Sequence, residues 1–359
     1  MNIKTFIVIL FVLVSCNDNK KASPLELFTT QSELKEVTYT INEDSLALVE
    51  GIQCNDSVLI IIDYYLSKSF SLFDLKNGKY IGRFGTIGEG SEEIPLGCYG
   101  NIENSFFYIS YPYTGLIGKY NLDSLRMNIN SDPNILTKYN IPEAQLSQTM
   151  LVNDSIYLGA GAYKSQYQFV LFNKANKILD YKSELFDFNK EDINSFHIGL
   201  ANQGTLKKHP EKNQFVFSLN MSSNIDFLEI SNDTINIINS IRLASPRFDP
   251  MSDGKLYRVM PKDDNIIGYI DIAAGDKYVY ALYTDKKLVS EDGEGEAFRS
   301  DIILLFDWNG QPIKKLKLTR EAYYITVNER LGRLYAVVLN NDAGFTVTTY
   351  DIDALLSAH

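Results

Sequence analysis

A unit of strand, tight turn and strand recurs along the whole chain, and no other feature narrows the possible folds as much. Its clearest copy begins at 70–85, FSLFDLKNGKYIGRFG. Alternating Phe70 and Leu72 lead to Phe73-Asp74, then a turn at Lys76-Asn77-Gly78, then a second run through Tyr80, Ile81 and Phe84. Alternation on either side of a turn of two to four residues is the signature of a β-hairpin. Six runs match as second strands of such units: 57–63, 105–111, 155–160, 213–219, 277–283 and 333–339. Six more match as third strands: 70–75, 116–122, 167–173, 225–231, 301–307 and 344–351. Five of these close on a pair such as Phe73-Asp74, Tyr120-Asn121, Phe172-Asn173, Phe306-Asp307 or Tyr350-Asp351.

Many short strands joined by tight turns make a sandwich, a barrel or a propeller, and internal repetition at roughly 40–50 residues selects the propeller. Helical periodicity is confined to one short candidate, Ser183–Phe196. The reading is therefore all-β: a six-bladed β-propeller of four-stranded antiparallel blades. The sixth repeat has no fourth strand of its own, and the strand-like stretch Glu36–Ile41 has no blade. Pairing that stretch with the segment around Thr346–Tyr350 closes the ring and removes an exposed edge.

The first fifteen residues, MNIKTFIVILFVLVS, place Lys4 ahead of an apolar run of signal-peptide length, too short to span a bilayer comfortably. The run ends at Leu13-Val14-Ser15-Cys16, which resembles a bacterial lipobox. That resemblance implies cleavage before Cys16 and acylation of its sulfur and amine, and more than one acyl chain suffices for stable anchoring. The expected organisation is a signal peptide at 1–15, a flexible tether at 16–32, and one propeller at 33–359. In an exported protein the remaining pair, Cys54 and Cys98, invites a disulfide. They fall at opposite ends of neighbouring strands, which separates them by more than a disulfide can span, so two unpaired thiols are expected. A net charge of −11, with no basic run beyond Lys20-Lys21, argues against nucleic acid as a partner.

The stretch carrying Phe73-Asp74, Gly78, Phe84-Gly85, Gly88, Gly90, Glu93, Ile94 and Pro95 resembles an NHL-type propeller repeat. Ile303–Leu318, with Phe306-Asp307-Trp308-Asn309-Gly310 and Pro312, resembles the penultimate blade of the TolB-like six-bladed propeller lipoproteins of Bacteroidota. With the lipobox, the resemblance covers most of the chain and implies a cell-envelope address. Outer membrane is the implied membrane, with the periplasmic or surface side open. The motifs belong to the fold and bring no catalytic signature.

Loop length points to a functional face. Connections between second and third strands, and between blades, are long and emerge together: Gly85–Pro95, Asn128–Pro142, Glu184–His197, Ala244–Asn265 and Thr284–Ser300. Long loops on a rigid scaffold usually carry binding. Tyr64, Tyr65, Tyr111, Tyr113, Tyr163, Phe248 and Tyr257 crowd this face and suit stacking on sugars or peptides, or equally the packing of seams between blades. Arg247 and Arg258 flank the largest loop, where they could clamp a carboxylate or phosphate or form surface ion pairs. His197 is the one histidine on this face. The acidic run Glu291–Glu296 lacks EF-hand spacing, and the Gly85–Gly90 run lacks the lysine and helix of a P-loop.

Two functions fit. The first is a non-catalytic, lipid-anchored binding or scaffold module that presents the long-loop face to a glycan, a peptide or an envelope protein. Its candidate residues are Tyr65, Tyr111, Tyr113, Tyr163, His197, Arg247, Phe248, Tyr257 and Arg258, and it calls for no metal or cofactor. The second is a propeller hydrolase or lyase with carboxylates in the channel, with or without Ca²⁺. No zinc spacing and no nucleophile elbow supports an enzyme.

Overall fold

The repeat pattern becomes blades because each sheet is apolar on both faces and has to be covered on both. The computed structural model describes residues 23–357 other than 39–45, 91, 186–192, 255, 291–292, 295 and 341–343. Blade 1 is Leu48–Cys54, Val58–Tyr65, Lys68–Asp74 and Lys79–Thr86. Blade 2 is Tyr99–Glu103, Phe106–Tyr111, Leu116–Asn121 and Asn134–Lys138. Blade 3 is Ala144–Asn153, Ile156–Tyr163, Tyr167–Asn173 and Ile178–Glu184. Blade 4 is Gly204–Lys208, Gln214–Leu219, Ile225–Ser231 and Thr234–Ile241. All four are separate four-stranded antiparallel sheets.

Blades 5 and 6 share one long strand. Pro312–Asn328 pairs with Ser300–Asp307 through its first half, as the outer strand of blade 5. Its second half pairs with Arg333–Leu339 as the inner strand of blade 6. Tyr269–Ala274 and Tyr278–Tyr283 complete blade 5. Blade 6 adds Phe345–Asp351 and, as its outer strand, Lys35–Val37 from the other end of the chain. The register there is Lys35 opposite Asp351, Glu36 opposite Tyr350 and Val37 opposite Thr349, so the ring closes where the sequence predicted. The rest of the expected closing strand, residues 39–41, lies outside the described residues.

The core is a set of seams between blades. Phe70 meets Phe107 edge-on at 4.9 Å and Phe84 meets Tyr120 at 5.0 Å between blades 1 and 2. Phe169 and Phe217 join blades 3 and 4, and Phe227 and Phe306 join blades 4 and 5. Each buried aromatic contributes about 1.5–3 kcal/mol relative to exposure, and edge-to-face pairs add to that. Cys54 and Cys98 are both free, as expected, and burial pushes each thiol up to about 12.

Three departures from the sequence reading matter for function. Residues 23–32, read from composition as the distal half of a tether, form a strap on blade 5. Pro24–Leu27 is a 3-10 turn capped by the Ser23 hydroxyl, Phe28 is buried edge-on against Phe306 at 5.1 Å, and Gln31–Glu33 runs parallel to Lys315–Lys317. Of the expected helix at Ser183–Phe196, residues 183–184 are strand and 186–192 lie outside the described residues, while a helix runs from Ser195 to Ala201 with Asn194 capping the amides of Phe196 and His197. The Ala244–Asn265 connection is no open loop but contains a hairpin, Phe248–Ser252 with Tyr257–Pro261. Pro250, Pro261 and a polar tip had masked its alternation.

Candidate binding face and central channel

Strand direction puts every connection between blades, and every connection between second and third strands, at one end of the ring. Among the described residues, twelve of the eighteen exposed large apolar side chains sit at that end. They are Leu48, Tyr65, Leu66, Leu96, Tyr99, Tyr113, Phe196, Met251, Leu256, Tyr257, Met260 and Phe298. Leu66 is 76% exposed and holds φ at 47°, in the left-handed region that a leucine seldom occupies. It forms, with Ser67 at φ 63°, the two-residue turn between Tyr65 and Lys68.

The residues singled out from sequence fall into three groups. Tyr111 and Tyr113 lie 5.5 Å apart in the second-to-third connection of blade 2, with Tyr113 71% exposed, and Tyr65 is half-covered by the Arg83 guanidinium at 4.7 Å. Arg83 is in turn held by the fully buried Asp63 at 2.6 Å. The second group builds a clasp. Phe196 stacks on Tyr257 at 4.9 Å, and His197, which is buried, meets the Tyr257 ring edge-on at 5.4 Å. The His197 Nδ1 accepts from the Asn194 amide, which leaves Nε2 to donate to the Met251 carbonyl at 3.1 Å. Both ring nitrogens are therefore spent, Nδ1 on capping its own helix and Nε2 on fastening that helix to the hairpin. Arg258 is exposed on the same hairpin, while Arg247 is paired with Asp264. The third group is interior: Tyr163 packs in the core of blade 3, and Phe248 is 5% exposed. Neither can meet a ligand without rearrangement. Cys16 lies outside the described residues.

Behind this face the six inner strands enclose a cavity of about 370 Å³. Glu50, Tyr99, Gln148, Thr205, Asp271 and Tyr324 are among its walls, with Phe298 and Tyr323 toward the mouth. Sequence reasoning did not reach these residues, because alternation alone does not mark which strand of a repeat is innermost. Burial raises the pKa of Glu50, against a hydrogen bond from Tyr64, and raises that of Asp271, against the nearby charge of Lys207. A second cavity of about 450 Å³ continues toward the short-turn end.

That far end is crossed by two cations. Arg330 of blade 6 reaches Asp56 of blade 1 at 3.5 Å, Glu211 of blade 4 at 2.6 Å and Asp276 of blade 5 at 3.2 Å. Blades 1 and 4 stand opposite each other in a ring of six, so this side chain spans the opening. Lys208 of blade 4 reaches Glu103 of blade 2 at 2.7 Å and the Val152 carbonyl of blade 3 at 3.1 Å. Together the two cations tie all six blades at one end. Among the described residues no group of three or more His, Cys, Asp or Glu side chains is placed to hold a metal ion.

The fold is a ring of six blades, tied across one mouth and open to an apolar loop face at the other. The sequence pattern of the TolB-like 6-blade propeller-like proteins matches residues 49–330, and the chain belongs to that family. Two solved structures share the fold. One is an inferred exported protein of Bacteroides fragilis, at 14% identity and a TM-score of 0.54, covering 89% of this chain and 94% of its own. The other is a member of the DUF4221 family from Bacteroides vulgatus, at 11% identity and a TM-score of 0.53, covering 89% and 98%. No curated protein matches the sequence.

Proposed function

We propose that this chain is a non-catalytic docking propeller of the cell envelope, held to the membrane through lipid on Cys16, whose long-loop face engages a partner protein. The observation that carries the reading is the concentration of exposed apolar side chains on one face. Monomeric proteins seldom gather such residues without a use for them. Half of the set is aliphatic, Leu48, Leu66, Leu96, Met251, Leu256 and Met260. Sugars are gripped by flat aromatic platforms, whereas leucine and methionine mixed with tyrosine and phenylalanine match the composition of protein interfaces. The strained turn at Leu66 supports the same reading, because backbone strain is retained chiefly where a side chain must be presented. Ser23 lies only seven residues after Cys16, so an anchor there would hold the propeller within about 25 Å of the bilayer.

A photo-crosslinking residue placed at Tyr113 or Met260 in the native cell tests this. Both positions are expected to trap the same protein. Met127, which is 83% exposed at the opposite end, is expected to trap none. Leu66→Asn, which relieves the left-handed strain, is expected to keep or raise the melting temperature while weakening that crosslink. Equal trapping from Met127, or trapping indifferent to Leu66→Asn, overturns the reading.

A further inference from the structure

We infer that the channel behind the loop face is a ligand site in its own right, that Lys207 is its floor, and that it takes a small monocarboxylate with a flat apolar body. Lys207 lies three residues into the inner strand Gly204–Lys208, roughly 10 Å below the long-loop end at 3.3 Å per residue. It borders both the upper and the lower cavity, as do Gln53, Asn101 and Glu103, so these four side chains define the waist between them. Glu103 is held by Lys208, whereas among the described residues the side chains of Lys207, Gln53 and Asn101 have no hydrogen-bond or ion-pair partner.

That combination is unusual for an interior cation. Buried charges are ordinarily paired, and an unpaired one is costly. Burial lowers the Lys207 pKa and the charge of Asp271 opposes this; the two form no ion pair, and each Asp271 oxygen accepts an amide, from Ile272 at 2.8 Å and from Ile325 at 2.9 Å. Adjacent Lys208, by contrast, is spent on Glu103 and Val152. The waist thus holds three side chains able to donate, Lys207, Gln53 and Asn101, and none of them has an acceptor among the described residues. A carboxylate fits it, because charge-assisted hydrogen bonds are the strong ones.

The walls above set the rest of the ligand. Tyr99, Phe298, Tyr323 and Tyr324 line the upper cavity, and about 370 Å³ accommodates one small molecule. Glu50 lies between mouth and floor and repels a second negative charge, which disfavours phosphates and dicarboxylates. The Arg330 and Lys208 bridges cross the far end, so entry is from the loop face. This inference concerns the channel interior and is independent of whether a protein docks on the face.

Calorimetry on the purified protein with 3-phenylpropionate, 3-phenylpropionamide and benzylphosphonate decides it. The carboxylate is expected to bind at least ten-fold more tightly than the isosteric amide. Lys207→Gln is expected to weaken the carboxylate about ten- to hundred-fold and leave the amide unchanged. Glu50→Gln, which keeps an acceptor for Tyr64, is expected to tighten the carboxylate several-fold and to admit the phosphonate. Equal affinity for acid and amide, carboxylate binding that survives Lys207→Gln, or no heat from the acid up to 10 mM each overturns the inference. Should Lys207→Gln fail to fold, the acid-against-amide comparison and Glu50→Gln carry the test alone.

Discussion

If the strap at 23–34 is part of the propeller, removing its anchor must cost stability. Phe28 is 5% exposed and packs among Val216, Ile225, Phe227, Phe306 and Trp308. A phenylalanine buries roughly 150–250 Å², which at about 25 cal/mol per Å² is on the order of 4–6 kcal/mol of transfer free energy. Alanine keeps part of this, and Phe28 sits on the outside of the ring where neighbours can close in. Phe28→Ala is therefore expected near the lower end of the range for such truncations, about 3 kcal/mol. Unfolding entropy of about 2.1 cal/mol/K per residue gives roughly 0.7 kcal/mol/K for a domain of this size, hence a melting temperature lowered by about 4 °C. Differential scanning calorimetry reads this directly. Phe306→Ala combined with Phe28→Ala should fall short of additivity, because the 5.1 Å ring pair is lost only once. Met127→Ala, at an exposed position, serves as the silent control. A melting temperature unchanged within 1 °C in Phe28→Ala would refute the strap and return residues 23–32 to a free tether.

Two further outcomes follow from buried groups. With both thiols pushed to about 12 by burial, Cys54 and Cys98 are expected to resist a disulfide reagent at pH 8 in the folded Cys16→Ser chain and to react fully, two per chain, in denaturant; prompt labelling of either in the native state contradicts their placement. Burial, then the Lys212 charge, lowers the His209 pKa below its ordinary 6.5, with Asp276 and Glu211 opposing. Its Nδ1 accepts the amides of Glu211 and Lys212, so protonation would evict two donors. The folded state resists the proton that the unfolded state takes up near pH 6.5, so this stabilisation is present above that pH and declines as pH falls below it. His209→Gln is expected to flatten the melting-temperature profile between pH 5 and 7, and an unaltered profile rejects the assignment.

Much of the architecture was legible because it is local. Turns such as Asn232-Asp233, at φ 51° and 57°, announce their hairpins within four residues. The third-strand reading 225–231 matches the observed Ile225–Ser231, and the reading 167–173 matches Tyr167–Asn173. Closure was legible from arithmetic, one strand short at one end and one to spare at the other. The site was legible only as a face. Tyrosine serves a seam and a surface equally well, so Tyr163 and Phe248 were expected on the surface and lie inside, while Leu66, Leu96 and Met260 look like core residues in sequence and lie outside. Which side a tyrosine takes depends on where the neighbouring blade's loop ends, and no short-range pattern encodes that.

The interactions that set the polarity of the ring were the least legible, for a related reason. Arg330 is 274 residues from Asp56 and 119 from Glu211, and Lys208 is 105 from Glu103, so nothing in the spacing pairs them. Their effect is nevertheless specific. Each bridging side chain leaves a turn or a strand end at the short-turn mouth, so that mouth is pinned across opposite blades, whereas at the other mouth the ion pairs Lys286–Glu321 at 2.7 Å and Arg299–Glu321 at 2.8 Å join neighbouring blades. A ring pinned at one mouth keeps its channel dimensions there when loops at the other mouth adjust. Adjustment at the loop face then reaches the waist at Lys207 only through the inner strands, whose register is fixed by their hairpins. Under the two proposals above, a loop face that adjusts would fit the partner while the pinned interior would discriminate the small ligand, both from the same open end.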